Sequence, residues 1–436
     1  MNRSGRQLLV MSHAHPRLSV GGGENAAYAL HQGFLSRDGW HSFFLAACSD
    51  QEPLAGRELH RLAPDPEALL HVAGGAHQSV FESGDCLRLE GPLAQLVQEL
   101  RPDVIHLHNV LHFGLAVVVA LRRWAPHARI LLTVHEFLLL CPLQGQLRNS
   151  DGQRCPGPTL DGCLSCCSWV DAHSWLIRQA CATELRHWVD LFLSPSQVLV
   201  SQCVANGWPA DCFSVVENLL PEFVHASAVQ SLSRERVPFE DGHRQQVFGF
   251  FGNCHAAKGL DLVLEAFVLV RDRCSSARLM VHGPVLTVLE ELKNSPWRTD
   301  QEYVIKTTAL LDQLKGVVHL HGCYQQSEIP DLMAPLGWVI MSSRWLENSP
   351  VVIQEARLCQ TPLLVPALGG MQEKVQHGVD GWHFAPDSAE AMANAIVRCC
   401  QDPEGWSIMQ CSVRPPLKND QLLAIYEALY LAEKPY

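Results

Sequence analysis

The sequence lacks any apolar segment long enough to cross a membrane. No stretch reaches the 18 or so apolar residues that a spanning helix needs, and the apolar run from Leu8 to Met11 is too short for a signal peptide. These absences predict a cytoplasmic protein. Seventeen cysteines without an export signal are then expected to be reduced thiols or metal ligands rather than a disulfide framework.

Positive charge is also scarce. The 436 residues include 33 Lys plus Arg against 45 Asp plus Glu, a formal net charge of −12. The chain as a whole should therefore repel nucleic acid and anionic membranes, and any phosphate site must be local. Internal repeats and low-complexity tracts are absent. Gly21 to Gly23 lack the G-x-G-x-x-G spacing of a dinucleotide-binding loop, which disfavours an NAD-linked dehydrogenase.

Short apolar runs alternate with helical patterns along the chain, which is typical of doubly wound α/β domains with parallel sheets. A first set of predicted strands comprises Leu8 to Ser12, Ser42 to Ala46, Val104 to Leu107, Ile130 to Val134 and Leu191 to Ser194. A second set comprises Val247 to Phe251, Arg278 to His282, Val317 to Leu320, Trp338 to Met341 and Leu363 to Val365. The charged, aperiodic segment Ser231 to Gln246 between the sets is predicted to be a linker.

Glu347 and Glu355 bracket a predicted helix start. Ser349 is a favourable N-cap, Pro350 suits the first helical position, and Thr361-Pro362 would stop the helix. The free N–H groups of Val351 and Val352 would then offer an anion site between two carboxylates that accept hydroxyls. A sugar nucleotide carries both kinds of group. Taken alone, the pair also fits a surface helix with two solvated glutamates.

The stretch Trp345 to Ala356 resembles the donor-binding signature of glycosyltransferase family 4, which comprises retaining enzymes of GT-B fold. Further matching segments follow the family's order: Pro362 to Val365, Gly369 to Glu373 and Gly378 to Phe384 downstream, and Gly21 to Glu24, Phe248 to Asn253 and Lys258 to Asp261 upstream. The resemblance implies two facing Rossmann-like, doubly wound parallel-sheet domains with a cleft between them. Residues 1–225 plus 418–436 would form the acceptor-side domain, and residues 226–417 the nucleotide-sugar domain.

The resemblance also implies the activity. A sugar would move from a nucleoside diphosphate sugar to a glycan or lipid-linked acceptor, as in capsule, lipopolysaccharide or exopolysaccharide assembly, with no cofactor or metal required. The leaving phosphate oxygen would deprotonate the acceptor through an oxocarbenium-like transition state. A GT-B sugar-nucleotide epimerase and a non-catalytic nucleotide-sugar-binding partner remain alternatives.

The family pattern assigns roles to residues of this chain. Glu355 would bind the ribose hydroxyls, and Glu347 would act at the reacting sugar. His135, followed by Glu136 where the family has Asp, would be the second catalytic residue. Asn253 stands where the family usually has Arg, so phosphate charge would rest more on Lys258. Substrate binding would also involve Gly22, Gly23, Asn348, Ser349, Val351 and Val352.

Three other histidines, His106, His108 and His112, are expected to line the cleft or contact the acceptor rather than bind a metal. The helical stretch Trp175 to Arg178, continued by Arg186 and Trp188, is predicted to pack in the core. Contact of that helix with the inner face of a membrane is the alternative.

Five cysteines follow His135 in a segment rich in glycine and proline: Cys141, Cys155, Cys163, Cys166 and Cys167. Cys163 and Cys166 have the spacing of a zinc knuckle, and Cys141 and Cys155 could complete four thiolates. Packing thiols, a structural zinc or iron–sulfur site, and disulfides are the three interpretations left open.

Overall fold

The computed structural model describes residues 5–18, 21–48, 59–62, 66–72, 91–110, 112–143, 145–149, 152–222, 224, 243–295 and 298–432. The chain divides into two compact units. The N-terminal unit comprises Met1–Pro221 with Leu417–Tyr436, and the C-terminal unit comprises Glu222–Pro416. Most of the predicted linker, residues 231–242, lies outside the described residues. Its last part belongs to the C-terminal unit, where Arg244 Nε donates a 2.7 Å hydrogen bond to the Leu336 carbonyl.

The N-terminal unit is built on an eight-stranded sheet with the order β3-β4-β2-β1-β5-β6-β7-β8. Only β3 runs antiparallel to its neighbour among the described strands. The strands are β1 Arg6–Ser12, β2 Trp40–Cys48, β3 Leu59–Leu62, β4 Glu67–His71, β5 Val104–His108, β6 Arg129–Thr133, β7 Leu191–Ser194 and β8 Phe213–Val215. The helices are α1 Gly22–Leu35, α2 Pro92–Leu100, α3 Ala116–Trp124, α4 Leu160–Cys166, α5 Ala172–Trp188 and α6 Gln197–Ala205.

The C-terminal unit contains a six-stranded parallel sheet with the order β11-β10-β9-β12-β13-β14. Its strands are β9 Val247–Phe251, β10 Arg278–His282, β11 Val318–Gly322, β12 Trp338–Ile340, β13 Leu363–Pro366 and β14 Gly381–Phe384. Its helices are α7 Leu260–Arg271, α8 Val285–Leu292, α9 Arg298–Gln313, α10 Ile329–Met333, α11 Val351–Leu358, α12 Gly369–Lys374, α13 Ala389–Gln401 and α14 Pro403–Ser412. Two doubly wound parallel-sheet domains were predicted, and that fold class is confirmed.

The last helix, α15 Asn419–Leu431, is part of the N-terminal unit. Its buried residues Leu422, Tyr426 and Tyr430 join the core formed by α1 and the central strands. Tyr430 also reaches β5, where its hydroxyl lies 2.7 Å from His106 Nδ1. The last helix therefore packs against β5.

The strand order creates one topological switch point in each unit, between β1 and β5 and between β9 and β12. At such a point the connections that follow the two adjacent strands run in opposite directions along the sheet. The loops that leave the carboxyl ends of these strands therefore diverge and open a crevice. In the N-terminal unit Ser12 pairs with His108 in register. In the C-terminal unit β9 runs into Gly252 and Asn253, and β12 runs into the loop that carries Glu347.

Candidate active site

The loop that follows β12 contacts the turn that follows β9. Gly259 has a φ of +73°, and a Cβ at this position would lie 2.3 Å from the Ser342 carbonyl oxygen. The Ser342 hydroxyl donates to the carbonyls of Lys258 and Gly259 at 2.8 and 2.9 Å. Only glycine combines this left-handed conformation with such a close approach. These contacts fix the backbone at Lys258 relative to the loop carrying Glu347.

A salt bridge reinforces the same junction. Arg344 donates from Nη1 and Nη2 to the two carboxylate oxygens of Asp261 at 2.6 and 2.7 Å. Arg344 Nη1 also donates to the Ala256 carbonyl at 2.8 Å. A bidentate guanidinium fork of this kind specifies geometry as well as charge. The turn after β9 and the loop after β12 are therefore held together at two points.

Lys258 and Glu347 meet directly at this junction. Lys258 Nζ donates to Glu347 Oε1 at 2.6 Å, and the same oxygen accepts from Ser343 Oγ at 2.6 Å and Trp345 Nε1 at 2.7 Å. Burial acts to raise the pKa of Glu347, but the Lys258 charge and the hydrogen bonds outweigh burial, so the pKa lies below its ordinary value. Glu347 is therefore an ionised, oriented carboxylate.

The helix that follows begins one residue later than predicted. Pro350 is the N-cap, with φ −62° and ψ 122°, and Val351 is the first helical residue, so the prediction of Ser349 as N-cap is wrong. Proline's fixed φ suits both positions, but its extended ψ places it outside the helix. The N–H groups of Val351 and Val352 belong to the first turn, where an α-helix provides no internal acceptor.

Gly369 and Gly370 lie close to the backbone just before this helix. The Gly370 N–H donates to the Glu347 carbonyl, and a Cβ on Gly370 would lie 1.6 Å from the Asn348 carbonyl oxygen. Gly369, with a φ of +56°, approaches Glu347 in the same way. Because α12 begins at these glycines, its first turn can pack directly on the backbone of Glu347 and Asn348.

Glu355 lies on the second turn of α11 and is buried. Burial raises the pKa of Glu355 to about 7, and the 2.9 Å hydrogen bond from Gln326 Nε2 opposes this rise only in part. Burial raises the pKa of the neighbouring Tyr324, and the Glu355 carboxyl group adds to this rise. The two glutamates therefore differ in charge: Glu347 is fully ionised, whereas Glu355 is close to its titration point at neutral pH.

Asn253 lies at the carboxyl end of β9, in the same turn as Lys258, and is exposed. The predicted site residues of the C-terminal unit are thus gathered at one edge of its sheet. They are Asn253, Lys258, Glu347, Asn348, Ser349, Val351, Val352 and Glu355.

The N-terminal unit brings its predicted residues together as well. Gly22 and Gly23 are the first two residues of α1, and a Cβ on Gly23 would lie 3.4 Å from the His135 ring. His13, directly after β1, lies 3.2 Å from Glu24 through Nε2 and Oε1. Burial acts to lower the pKa of His13, but the hydrogen bond and charge of Glu24 raise it overall.

Beside them, His108 Nδ1 lies 3.1 Å from His135 Nε2. Burial lowers the pKa of His135 to about 4, and the positive charge of His13 adds to this effect. Glu136 accepts a 2.8 Å hydrogen bond from Asn109 Nδ2, and burial raises its pKa. His135 is therefore a neutral ring at neutral pH, although its neighbour His13 has a raised pKa.

The expectation that His106 and His108 line a cleft is wrong. His106 is fully buried and hydrogen-bonded to the hydroxyls of Thr133 and Tyr430, both at 2.7 Å, and His108 is 1% exposed. Sequence reasoning also missed several residues at these sites. They are His13, Glu24, Gln326, Ser343 and Trp345. His13 follows β1 directly, so the rule that ligands gather at carboxyl ends of strands could have found it.

Two family models match this chain. "Glycosyl transferase 4-like domain" matches residues 21–218, and "Glycosyl transferases group 1" matches residues 233–409. Together they cover most of the chain. The chain belongs to the glycosyltransferases of GT-B fold.

Individual relatives are distant from this glycosyltransferase. Alpha-D-kanosaminyltransferase of Streptomyces kanamyceticus is 25% identical over 206 residues, 45% of this chain and 49% of the relative. The chain spans about half of that relative's length and less of the other curated relatives it matches.

Solved structures share the fold across almost the entire chain. HepE of Anabaena, in complex with UDP and glucose, is 17% identical with a TM-score of 0.63, covering 97% of this chain and 99% of its own. Sucrose-phosphate synthase of Thermosynechococcus elongatus is 16% identical with a TM-score of 0.61, covering 98% of each chain.

The five cysteines after His135 line one cavity of about 270 Å³ in this glycosyltransferase. Within the described part of the chain, no three His, Cys, Asp or Glu side chains are arranged as metal ligands, so Cys141, Cys155, Cys163 and Cys166 do not form the tetrahedral site considered from their spacing. Burial and, to a lesser extent, the neighbouring thiols together raise the pKa of Cys167 to about 12. The structure has these cysteines as free thiols.

Helix α5 differs from its prediction. Leu176 and Ile177 were expected in the core, but they are 56% and 38% exposed, and Trp169 before the helix is 49% exposed. Arg178, from the same stretch, is fully buried as the core prediction requires and donates to the carbonyls of Leu138 and Leu140. Searching the described residues, we find no helix with the length and apolar character of a membrane span.

Proposed function

We propose that this protein is a retaining glycosyltransferase that transfers a sugar from a nucleoside diphosphate sugar to a glycan or lipid-linked acceptor. One observation carries the proposal. Lys258, Glu347 and the start of α11 lie together at one sheet edge, with Glu355 one turn further along that helix. A cation, a helix N-terminus and two carboxylates match the diphosphate and hydroxyl groups of such a donor.

Lys258 and the first turn of α11 would bind the diphosphate. Lys258 is about one-third exposed, so its ammonium group can reach a ligand while it contacts Glu347. The N–H groups of Val351 and Val352 would add preorganised donors, and Asn253 would add a neutral one. Such donors stabilise a leaving diphosphate best when they are fixed before charge develops. Because lysine and backbone can supply this stabilisation, we propose that the reaction is metal-independent.

Glu347 would orient the sugar. Lys258, Ser343 and Trp345 all donate to Oε1, so none of these three donors takes up Oε2. Glu347 is therefore held through one oxygen while the other can accept from sugar hydroxyls. Glu355, on the next turn of α11, would accept from the ribose hydroxyls, with Gln326 as its neighbour. Asn348 and Ser349 complete the loop between them.

The chemistry proposed here needs no strong protein base. Retention follows if the leaving phosphate oxygen deprotonates the acceptor on the face that the phosphate leaves. Capsule, lipopolysaccharide or exopolysaccharide assembly would supply such acceptors. The protein's part is then to orient the sugar, stabilise the diphosphate and exclude water that would hydrolyse the donor.

The N-terminal unit would supply the acceptor side. We propose residues 1–225 with 418–436 as the acceptor domain and residues 226–417 as the donor domain. His135 would act beside the donor sugar, with Gly22 and Gly23 at the first turn of α1. The HepE structure with UDP and glucose supports a donor of this class, because that protein shares the fold over nearly its whole length.

Location is proposed as cytoplasmic, with peripheral contact at the inner face of the membrane. Trp169, Leu176 and Ile177 support the contact, since three large apolar side chains lie exposed within nine residues of one another. A lipid-linked acceptor would be presented at that surface.

One incubation tests the proposed function. Purified protein is mixed with each candidate nucleoside diphosphate sugar, with and without acceptor extracts, and nucleoside diphosphate release is followed. A transferase releases the diphosphate only when acceptor is present. Conversion of the donor into a different nucleoside diphosphate sugar in the absence of acceptor would indicate an epimerase. Binding without release under any condition would indicate a non-catalytic partner.

A further inference from the structure

Two imidazole rings share a hydrogen bond at the carboxyl edge of the N-terminal sheet. His108 ends β5, and His135 lies two residues beyond β6. His108 Nδ1 is 3.1 Å from His135 Nε2, with the ring centroids 5.3 Å apart and the planes inclined by 28°. Two ring nitrogens at this distance share one proton, so one ring donates and the other accepts. The direction follows from what surrounds each ring.

The surroundings of His108 decide the direction. Its side chain is 1% exposed, and its Nε2 has no hydrogen-bond partner in the described part of the structure. Burial holds the pKa of His108 well below its ordinary value, so the ring is neutral and carries a single N–H. A proton on Nε2 would leave a buried donor unpaired, and buried N–H groups without an acceptor are rarer than buried acceptors without a donor. The proton therefore belongs on Nδ1.

His135 must then accept at Nε2. Its pKa, lowered to about 4 mainly by burial, makes it neutral as well, so its own proton is on Nδ1. We propose that His108 is a positioning residue that fixes His135 as the Nδ1–H tautomer. His135 can then donate a hydrogen bond through Nδ1 but cannot act there as a general base. The kinetic consequence of this assignment rests on the proposed function, whereas the tautomer itself does not.

Neighbouring groups pack against both rings. His106 packs against His108, with centroids 4.3 Å apart, and is itself held by Thr133 and Tyr430 through bonds of 2.7 Å. Gly23 lies against the His135 ring. His13, directly after β1, and Glu24, on α1, act electrostatically on His135. These contacts hold the orientation of the two rings.

Nuclear magnetic resonance of protein labelled with ¹⁵N-histidine tests the tautomer. Two-bond ¹H–¹⁵N correlations distinguish Nδ1–H from Nε2–H rings, and His135→Gln assigns the signal. The wild type should show His135 as Nδ1–H at neutral pH, against the preference of free histidine for Nε2–H. His108→Phe removes the donor and should release His135 toward Nε2–H. His108→Gln can offer an amide N–H in its place and should restore Nδ1–H.

Kinetics give a second readout. His108→Phe should lower kcat about tenfold with little change in the KM for the donor, because a misoriented ring affects the reacting centre rather than donor binding. His108→Gln should recover most of the loss. His31→Phe is a matched control, since His31 is also fully buried and hydrogen-bonded, to Ser42 at 2.8 Å. It should lower stability without changing the His135 tautomer.

The outcomes separate cleanly. A wild-type His135 signal of the Nε2–H type overturns the assignment, and this result needs no folded variant. An unchanged tautomer in a folded His108→Phe protein overturns the positioning role. The predicted tautomers in a preparation that transfers no sugar support the assignment and count against the proposed function alone.

Discussion

Lys258 and Glu347 are 89 residues apart in the sequence, yet Nζ and Oε1 are 2.6 Å apart in the C-terminal unit. The ammonium group also lies 5.2 Å from the centre of the Trp345 ring. The proposed phosphate-binding cation and the proposed sugar-orienting carboxylate are thus paired directly with each other. Replacing either residue should therefore change the position and the electrostatic environment of the other side chain.

Replacement of Lys258 by alanine should reduce transfer by roughly tenfold or more, because a charge-assisted phosphate contact contributes about 1.5 to 3 kcal/mol. Loss of the cation should also raise the pKa of Glu347, since the Lys258 charge is the chief factor lowering it against burial. Initial rates against pH measure both effects. Lys293→Ala, which removes an exposed lysine paired with Glu290 on the surface, is the control. Unchanged kcat/KM in folded Lys258→Ala protein would remove Lys258 from the donor site.

The two glutamates should separate kinetically. Glu355→Gln should raise the KM for the donor with little effect on kcat, because contacts to ribose persist from ground state to transition state. Glu347→Gln should lower kcat by more than it raises KM, since sugar orientation matters most as the bond to phosphate breaks. Steady-state kinetics with varied donor decides. Equal effects of both variants on KM alone would contradict the division of roles.

Glu355 should also make stability depend on pH. Its pKa of about 7 in the folded protein exceeds its ordinary value of 4.5, so the folded state binds the extra proton. The contribution of this group to stability is therefore complete below about pH 4.5 and is lost as pH rises to about 7. The loss is on the order of 3 kcal/mol. Denaturant unfolding at pH 5 and pH 8 should show a smaller pH effect in Glu355→Gln than in wild type, and equal pH effects would exclude the raised pKa.

Gly369 and Gly370, which lie against the loop before α11, give a structural prediction. Gly370→Ala should abolish transfer and destabilise the C-terminal unit, because its Cβ would lie 1.6 Å from the Asn348 carbonyl oxygen. Gly316→Ala is the control: that glycine has a φ of +84° but nothing within 4 Å of an added Cβ, so only backbone strain is introduced. Thermal unfolding and donor binding are the measurements. A Gly370→Ala protein as stable and active as the control would show that the loop tolerates displacement.

Asn253 tests whether the missing family arginine limits donor binding. Asn253 is exposed at the end of β9, so Asn253→Arg can be accommodated without repacking. The added charge should increase donor affinity if Asn253 is simply a weaker phosphate contact. Binding titrations of wild type and variant decide. Lower affinity in the variant would mean that the site requires the smaller residue.

The buried parallel strands were accessible from the sequence because they are continuous apolar runs. Val247–Phe251 and Arg278–His282 agree with their predicted bounds. The edge strand β3 and its neighbour β4 were not accessible in this way. Leu59–Leu62 and Glu67–His71 contain charged and polar residues, and they become strands only because the second one pairs with β2. Non-local pairing of this kind leaves little trace in local composition.

In the site too, features set by neighbouring residues could be predicted, whereas contacts between distant residues could not. The helix carrying Glu355 could be predicted from its own stretch of sequence, apart from a one-residue error at the start. The contact of Lys258 with Glu347 could not be predicted. It depends on the close approach of Gly259 to Ser342, which follow two adjacent strands, β9 and β12. The pairing of His108 with His135 is likewise produced by the register of β5 with β6, where His108 lies opposite Thr133.

Direct binding of nucleoside diphosphates tests the central claim, that Lys258, Glu347, Glu355 and the start of α11 form a nucleotide-sugar site. The wild type, Lys258→Ala and Glu355→Gln are heated with a panel of nucleoside diphosphates and their sugars. At least one ligand should stabilise the wild type, by about 2.7 kcal/mol at 100 times its Kd, and should stabilise both variants less at the same concentration. Failure of every ligand to stabilise the folded wild type, or equal stabilisation of the variants, would contradict the account.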